Sequence, residues 1–235
     1  MLTVDLSLLA LEPGNTVLDL GCGTGRHARA LRMLDGVRAV ALDLSEKEIG
    51  AAAGSLREMD GNGARGPWLA VRGDAYVLPF RDASFDCVVA SEIFEHLDED
   101  DLAFREVTRV LRPGGILALS VPRFGPEAVC WALSSSYRHS EGGHVRIYRE
   151  RELRRKLSRH GYDVYARHFA HGLHSPYWWL RCLVGLENED AWLVRRYHDL
   201  LVRDLFEKPW WTRALDRTLT PFVGKSLVLY ARRVV

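Results

Sequence analysis

No stretch of the 235 residues approaches the ~20 consecutive apolar side chains needed to cross a bilayer, which argues against stable membrane insertion. The opening MLTVDLSLLALEPG has no basic stretch, and Asp5 interrupts its apolar residues, so no signal peptide is expected. Cysteine is scarce. Cys22, Cys87, Cys130 and Cys182 stand far apart with no CxxC pair, which argues against a zinc site or disulfide framework and for free thiols in a reducing, cytoplasmic setting. Lysine is scarcer still for its class, supplying four of 32 basic residues, so the abundance of arginine carries little functional weight. Internal repeats and low-complexity tracts are absent. What remains is an ordinary globular composition, 47% hydrophobic and 27% charged, at a length that suits one domain better than two. Charge is unevenly spread: residues 1–137 hold 13 Lys/Arg against 20 Asp/Glu, and residues 138–235 hold 19 against 11. That polarity reads first as solvated helix faces and second as a basic rim around an anionic acceptor.

Strand and helix patterns alternate along the first half. Val17–Leu20, Val37–Asp43, Trp68–Gly73, Phe85–Ala90 and Ile116–Val121 are short, continuously apolar runs, as strands buried on both faces must be. Helices are expected at about Arg26–Leu34, from a Ser45 cap to about Met59, and at Asp100–Leu111, where Pro113-Gly114-Gly115 stops the chain. The alternation predicts an α/β fold, a Rossmann-like, seven-stranded and mostly parallel sheet with helices on both faces. After Pro122 the pattern changes. A loop over Arg123–Tyr148 is expected, then a charged helix at Arg149–His160, a strand near Tyr162–Phe169 and a last strand at Ser226–Ala231. Residues 171–225 are too long for a simple connection and read as a tryptophan-rich helical cap or dimerisation insertion.

VLDLGCGTGR, residues 17–26, runs from an apolar strand into a glycine turn of the nucleotide-holding kind. The spacing Gly21, Gly23, Gly25 is one residue short of the dinucleotide fingerprint. Asp19 stands two residues before the first glycine, where a carboxylate repels a pyrophosphate and favours a cationic ammonium group. Asp43, closing the second strand, suits a bidentate hold on two ribose hydroxyls. An adenosine with a positive amino-acid tail satisfies both carboxylates, and S-adenosylmethionine is such a molecule.

With these residues residues 13–122 resemble the class I S-adenosylmethionine-dependent methyltransferases of the small-molecule and quinone-biosynthesis group. The motifs fall in order: VLDLGCGTG, Asp43, Gly73-Asp74-Ala75, Leu78-Pro79-Phe80, FDCVVASEIFEHL and LRPGGILALSVP. The resemblance implies a cofactor set of Asp19, Gly21, Gly23, Gly25, Asp43, Asp74, Ala75 and Ser91, with Asp74-Ala75 against the adenine. It also implies a single domain, whose segment 123–148 builds the acceptor pocket.

Two acceptor classes are disfavoured by missing residues. The [DNS]-P-P-[YF] signature of many base and amide N-methylating relatives is replaced by Ala90-Ser91-Glu92-Ile93, and Pro122 is followed by Arg123 rather than the cysteine of pyrimidine C5 enzymes. No basic-aromatic stripe for single strands is evident, so no nucleic-acid partner is expected. The expectation is O-methylation of a hydroxyl on a small metabolite, a sugar or glycoside before a phenol or polyketide. An unactivated alcohol needs a general base. His144, after Glu141-Gly142-Gly143, is the candidate, with His139 as its neighbour. Glu92, His96, Tyr148, Tyr177 and Trp178 are expected around the acceptor, although His96 also suits a structural or cofactor-edge place. His168, His171 and His174 recur at spacings of three without a nearby acidic partner, so no metal ligands are expected. C-methylation of a quinone precursor, and cofactor binding without catalysis, are the competing readings. The Trp192, Trp210 and Trp211 region suits a homodimer as well as a pocket.

Overall fold

Parallel strands with apolar faces on both sides need helices above and below, and the chain supplies both. A computed structural model describes residues 1–61, 63–139 and 143–234. The strands are β1 (Thr16–Leu20), β2 (Arg38–Asp43), β3 (Trp68–Arg72), β4 (Phe85–Ser91), β5 (Leu111–Pro122), β6 (Tyr162–Ala170) and β7 (Ser226–Arg233). They form one sheet in the order β3-β2-β1-β4-β5-β7-β6, with β7 antiparallel to both neighbours and the five strands before it in that order parallel. The chain order reverses between β1 and β4, which opens a crevice beyond the carboxyl ends of those strands.

Four helices flank this half: α1 (Arg26–Leu31), α2 (Glu46–Arg57), α3 (Asp100–Val110) and α4 (Phe124–Leu133). On α3 the buried Ala103, Phe104, Val107 and Val110 make one apolar stripe against the sheet. Ser45 caps α2 as expected, its hydroxyl accepting the Glu48 N–H at 3.3 Å. The remaining helices are α5 (Ser135–Arg138), α6 (Glu150–Arg159), α7 (His174–Val184), α8 (Trp192–Phe206) and α9 (Trp210–Val223).

Two expectations are corrected. Pro113-Gly114-Gly115 lies inside β5, where the pairing steps from Phe85–Leu111 to Cys87–Ile116, so it makes an irregularity in a longer strand. The segment expected as a loop over 123–148 is helical over α4 and α5. Residues 174–223 hold α7, α8 and α9, and no helix among the described residues is long and apolar enough to cross a membrane.

Candidate functional site

The turn after β1 depends on backbone that only glycine adopts freely. Gly21, Gly23 and Gly25 all have positive φ, at 65°, 51° and 83°. At Gly21 a methyl group would also stand 2.5 Å from Ile93 Cδ1. Asp43, half-buried at the tip of β2, fixes the turn: its Oδ2 accepts the Gly23 N–H at 2.8 Å and its Oδ1 accepts the Ser45 N–H at 2.9 Å. Each oxygen keeps a further lone pair for a hydroxyl. Asp74 orders the next turn, accepting the Tyr76 N–H at 2.9 Å, and Ala75 beside it is buried.

Asp19 lies under the turn. It is 1% exposed, and its Oδ2 accepts the Ala28 N–H at 2.9 Å. Any contact with a ligand's ammonium group would be added to that internal role. Burial pushes its carboxyl up to about 7. His27, with Nδ1 4.0 Å from Asp19, is pushed down to about 3 by burial, and its Nε2 accepts the Thr3 N–H at 3.3 Å.

A hydrogen-bonded chain runs from the turn to the end of β4. Arg26 Nη2 donates to Ser91 Oγ at 3.3 Å, Ser91 and Ser120 hydroxyls meet at 3.0 Å, and Ser120 Oγ donates to Glu92 Oε1 at 2.9 Å. Glu92 itself holds φ at +56°, a strained conformation for a residue with a side chain. These groups fit an adenosine carrying an amino-acid tail: Asp43 for two ribose hydroxyls, and Arg26 for the tail's carboxylate. Arg26 was absent from the sequence-based set, although it directly follows the third glycine.

Beyond β4 the chain turns through Phe94–His96 and brings Glu95 inside. Glu95 is 0% exposed, and neither of its carboxylate oxygens has a hydrogen-bond partner among the described residues. Burial, with the charge of Glu92 next, holds it well above the usual carboxylate range. His96 Nε2 is 3.9 Å from Glu95 Oε1, and His96 Nδ1 is 3.2 Å from the Gly143 carbonyl. His144 Nδ1 is 2.6 Å from Glu127 Oε1, a carboxylate that α4 buries to 2% exposure. One ligating atom from each of Glu95, His96 and His144 lies within 4.8 Å of the others.

A cavity of about 470 Å³ has His96, His139, His144, Arg138 and Trp131 among its walls. The structure therefore gathers the three histidines expected near the acceptor. His139 is exposed and bonds the Ser135 carbonyl at 2.9 Å. Trp178 approaches through Tyr137, whose ring centre is 5.6 Å from Trp178 and 6.3 Å from His144. Two expected residues do not join this group. Tyr148 is a core side chain, 3% exposed, whose hydroxyl bonds Asp100 and the Phe94 carbonyl. Tyr177 is buried and packs on Tyr197 and His198 of α8. Glu141 and Gly142, invoked before His144, lie outside the described residues.

The histidines at 168, 171 and 174 are also accounted for. His168 and His171 bond Thr3, through its carbonyl at 3.1 Å and its hydroxyl at 3.1 Å, and so tie down the first residues. His174 lies beside His171, with ring centres 5.1 Å apart and ring planes tilted by 60°.

Residues 18–119 match a methyltransferase domain. Over 111 residues, 47% of this chain and 28% of the relative, the sequence is 36% identical to a sterol 24-C-methyltransferase of Gibberella zeae. It is 36% identical over 112 residues, 48% of this chain and 40% of the relative, to the 27-O-demethylrifamycin SV methyltransferase of Amycolatopsis mediterranei. The matches thus span less than half the length of these relatives. An S-adenosylmethionine-dependent methyltransferase of Aquifex aeolicus superposes with a TM-score of 0.59 at 16% identity, covering 97% of this chain and 87% of that one, and shares the fold.

Proposed function

We propose that this chain, whose residues 18–119 match a methyltransferase domain, is a class I S-adenosylmethionine-dependent methyltransferase that transfers a methyl group to a hydroxyl oxygen of a small metabolite, a sugar or glycoside before a phenol or polyketide. S-adenosylmethionine, the cofactor of this family, supplies when bound a methyl group on a positively charged sulfur. What the protein adds is a place for the acceptor and an electron pair to activate it. The observation that carries the reading is the 2.6 Å bond between His144 Nδ1 and Glu127 Oε1. A neutral His144 that donates its Nδ1 proton to Glu127 keeps a lone pair on Nε2, the arrangement that suits removal of a hydroxyl proton. Arg138 and the neighbouring histidines put polar groups among the apolar Trp131 and Val145 of the cavity wall, a mixture that suits a hydroxylated acceptor with an apolar face.

His144→Ala is expected to cut turnover by ~10²-fold with cofactor affinity unchanged. The assay uses purified protein, cofactor carrying a labelled methyl group and fractionated cell extract. Label in polar low-mass material supports the reading, and label in apolar lipid moves it to C-methylation or a greasy alcohol. Cofactor binding with no transfer into any fraction leaves a non-catalytic protein.

A further inference from the structure

We infer that Glu95, His96 and His144 form a binding site for one divalent first-row metal cation, a site that activates the acceptor hydroxyl of the proposed reaction and so rests on that reading. The ligand set is two imidazoles and one carboxylate, a combination suited to zinc, cobalt(II) or manganese(II). Their ligating atoms already lie within 4.8 Å of one another. Bonds of about 2.0–2.2 Å would draw them onto a shared ion by side-chain adjustments of ~1 Å.

The carboxylate is the independent observation. Glu95 is wholly buried, and both oxygens lack a hydrogen-bond partner among the described residues. Ionising a carboxyl group buried in that state is costly unless something positive completes it, as a bound cation would. Lys225 contributes one positive charge toward Glu95, against the negative charges of Glu92 and Glu127. That balance leaves room for a cation. Both histidines are also held as metal-binding imidazoles are held. His96 Nδ1 meets the Gly143 carbonyl at 3.2 Å and His144 Nδ1 meets Glu127 at 2.6 Å. Donation from Nδ1 to an oxygen fixes the tautomer and puts the lone pair on Nε2 of each ring.

Three protein ligands leave an open coordination position, and the cavity beside His96 and His144 gives a hydroxyl access to it. A hydroxyl bound there ionises more readily: its O–H bond breaks, the electron pair stays on oxygen and the proton leaves to water through the open side of the cavity. With the ion in place the His144 lone pair serves as a ligand. Activation then passes from proton removal by His144 to ionisation on the metal.

The test titrates cobalt(II) chloride into the purified full-length chain, after chelator treatment and buffer exchange, and follows the visible absorption of the bound ion. One equivalent with tetrahedral or five-coordinate bands is expected. His96→Ala, at an exposed position, is expected to weaken binding at least about tenfold, and Glu95→Gln is expected to do the same. Cofactor affinity, measured on each variant, reports that the fold is kept. No cobalt bands, or equal binding by the parent and His96→Ala, overturns the site. If label still enters a hydroxylated acceptor in the presence of chelator, the metal inference fails while O-methylation stands with His144 as base. One bound equivalent without methylation of any hydroxyl keeps the site and removes the reaction assigned to it.

Discussion

Asp43 is placed so that one side chain could serve the fold and the proposed cofactor together. Its two oxygens already accept the N–H groups of Gly23 and Ser45, which aims the carboxylate and holds the second glycine of the turn. Ribose hydroxyls would use the remaining lone pairs, so no rearrangement is required on binding. Under the proposed ribose assignment Asp43→Ala removes two ligand contacts, together with the acceptor that positions Gly23. Cofactor affinity is expected to fall by about 1–3 kcal/mol, read by isothermal titration calorimetry. An unchanged dissociation constant would reassign the ribose to another group. Glu95 is the contrasting residue, a buried carboxyl group with no hydrogen-bond partner for its oxygens among the described residues.

At the scale of elements, α1 is short and starts at Gly25, whose backbone is left-handed and whose missing side chain gives no cap. Asp19, from β1, does that work across the turn by accepting the Ala28 N–H. The cap has a pH signature. Its folded pKa of about 7 exceeds the ordinary 3.8, so its contribution to stability is full below about pH 3.8 and is lost as pH rises toward 7. His27 runs the other way: depressed from 6.5 to about 3, it stabilises above pH 6.5 and loses that contribution on acidification. The two slopes oppose each other across the interval between. Asp19→Asn keeps an acceptor for Ala28 and removes the charge. It is expected to be more stable than the parent at pH 8 by up to ~4 kcal/mol, with the difference closing toward pH 4 in urea denaturation. A variant less stable at pH 8 would show that the charge itself is needed there. The strands and the glycine turn were legible because buried parallel strands are continuously apolar and the turn needs glycine. Helix α4 was not. Phe124-Gly125-Pro126 reads as loop, yet Pro126 falls in the first turn, where a missing N–H costs no helical bond. With that helix went Glu127 and the reason His144 is oriented. The interior position of Glu95 depends on how the chain turns after β4, and the Glu92-x-x-Glu95-His96 spacing was its only local sign.

Across the whole molecule, the sheet's second half anchors the first residues of the chain. Tyr230 of β7 is 0% exposed, and its hydroxyl accepts the Asp5 N–H at 2.7 Å. The same hydroxyl lies 3.3 Å from His168 Nδ1, while His168 Nε2 reaches the Thr3 carbonyl at 3.1 Å. One consistent assignment follows: Tyr230 donates to Nδ1, and His168 donates from Nε2. Residues separated by more than 160 positions are thus joined by two hydrogen bonds, Asp5–Tyr230 and Thr3–His168, and Thr3 continues through His27 to Asp19 beneath the glycine turn. Tyr230→Phe keeps the ring and its packing but leaves the Asp5 N–H and His168 Nδ1 without that partner. It is expected to cost about 1–3 kcal/mol in global stability, seen as a lower urea midpoint at unchanged slope. Because the deleted hydroxyl touches no crevice residue directly, cofactor affinity should stay within about twofold of the parent. A larger loss of affinity would mean that anchoring the first residues helps to order the turn through His27 and Asp19, and Thr3→Pro, which removes one of the N–H groups received by His27, would then weaken binding in the same way.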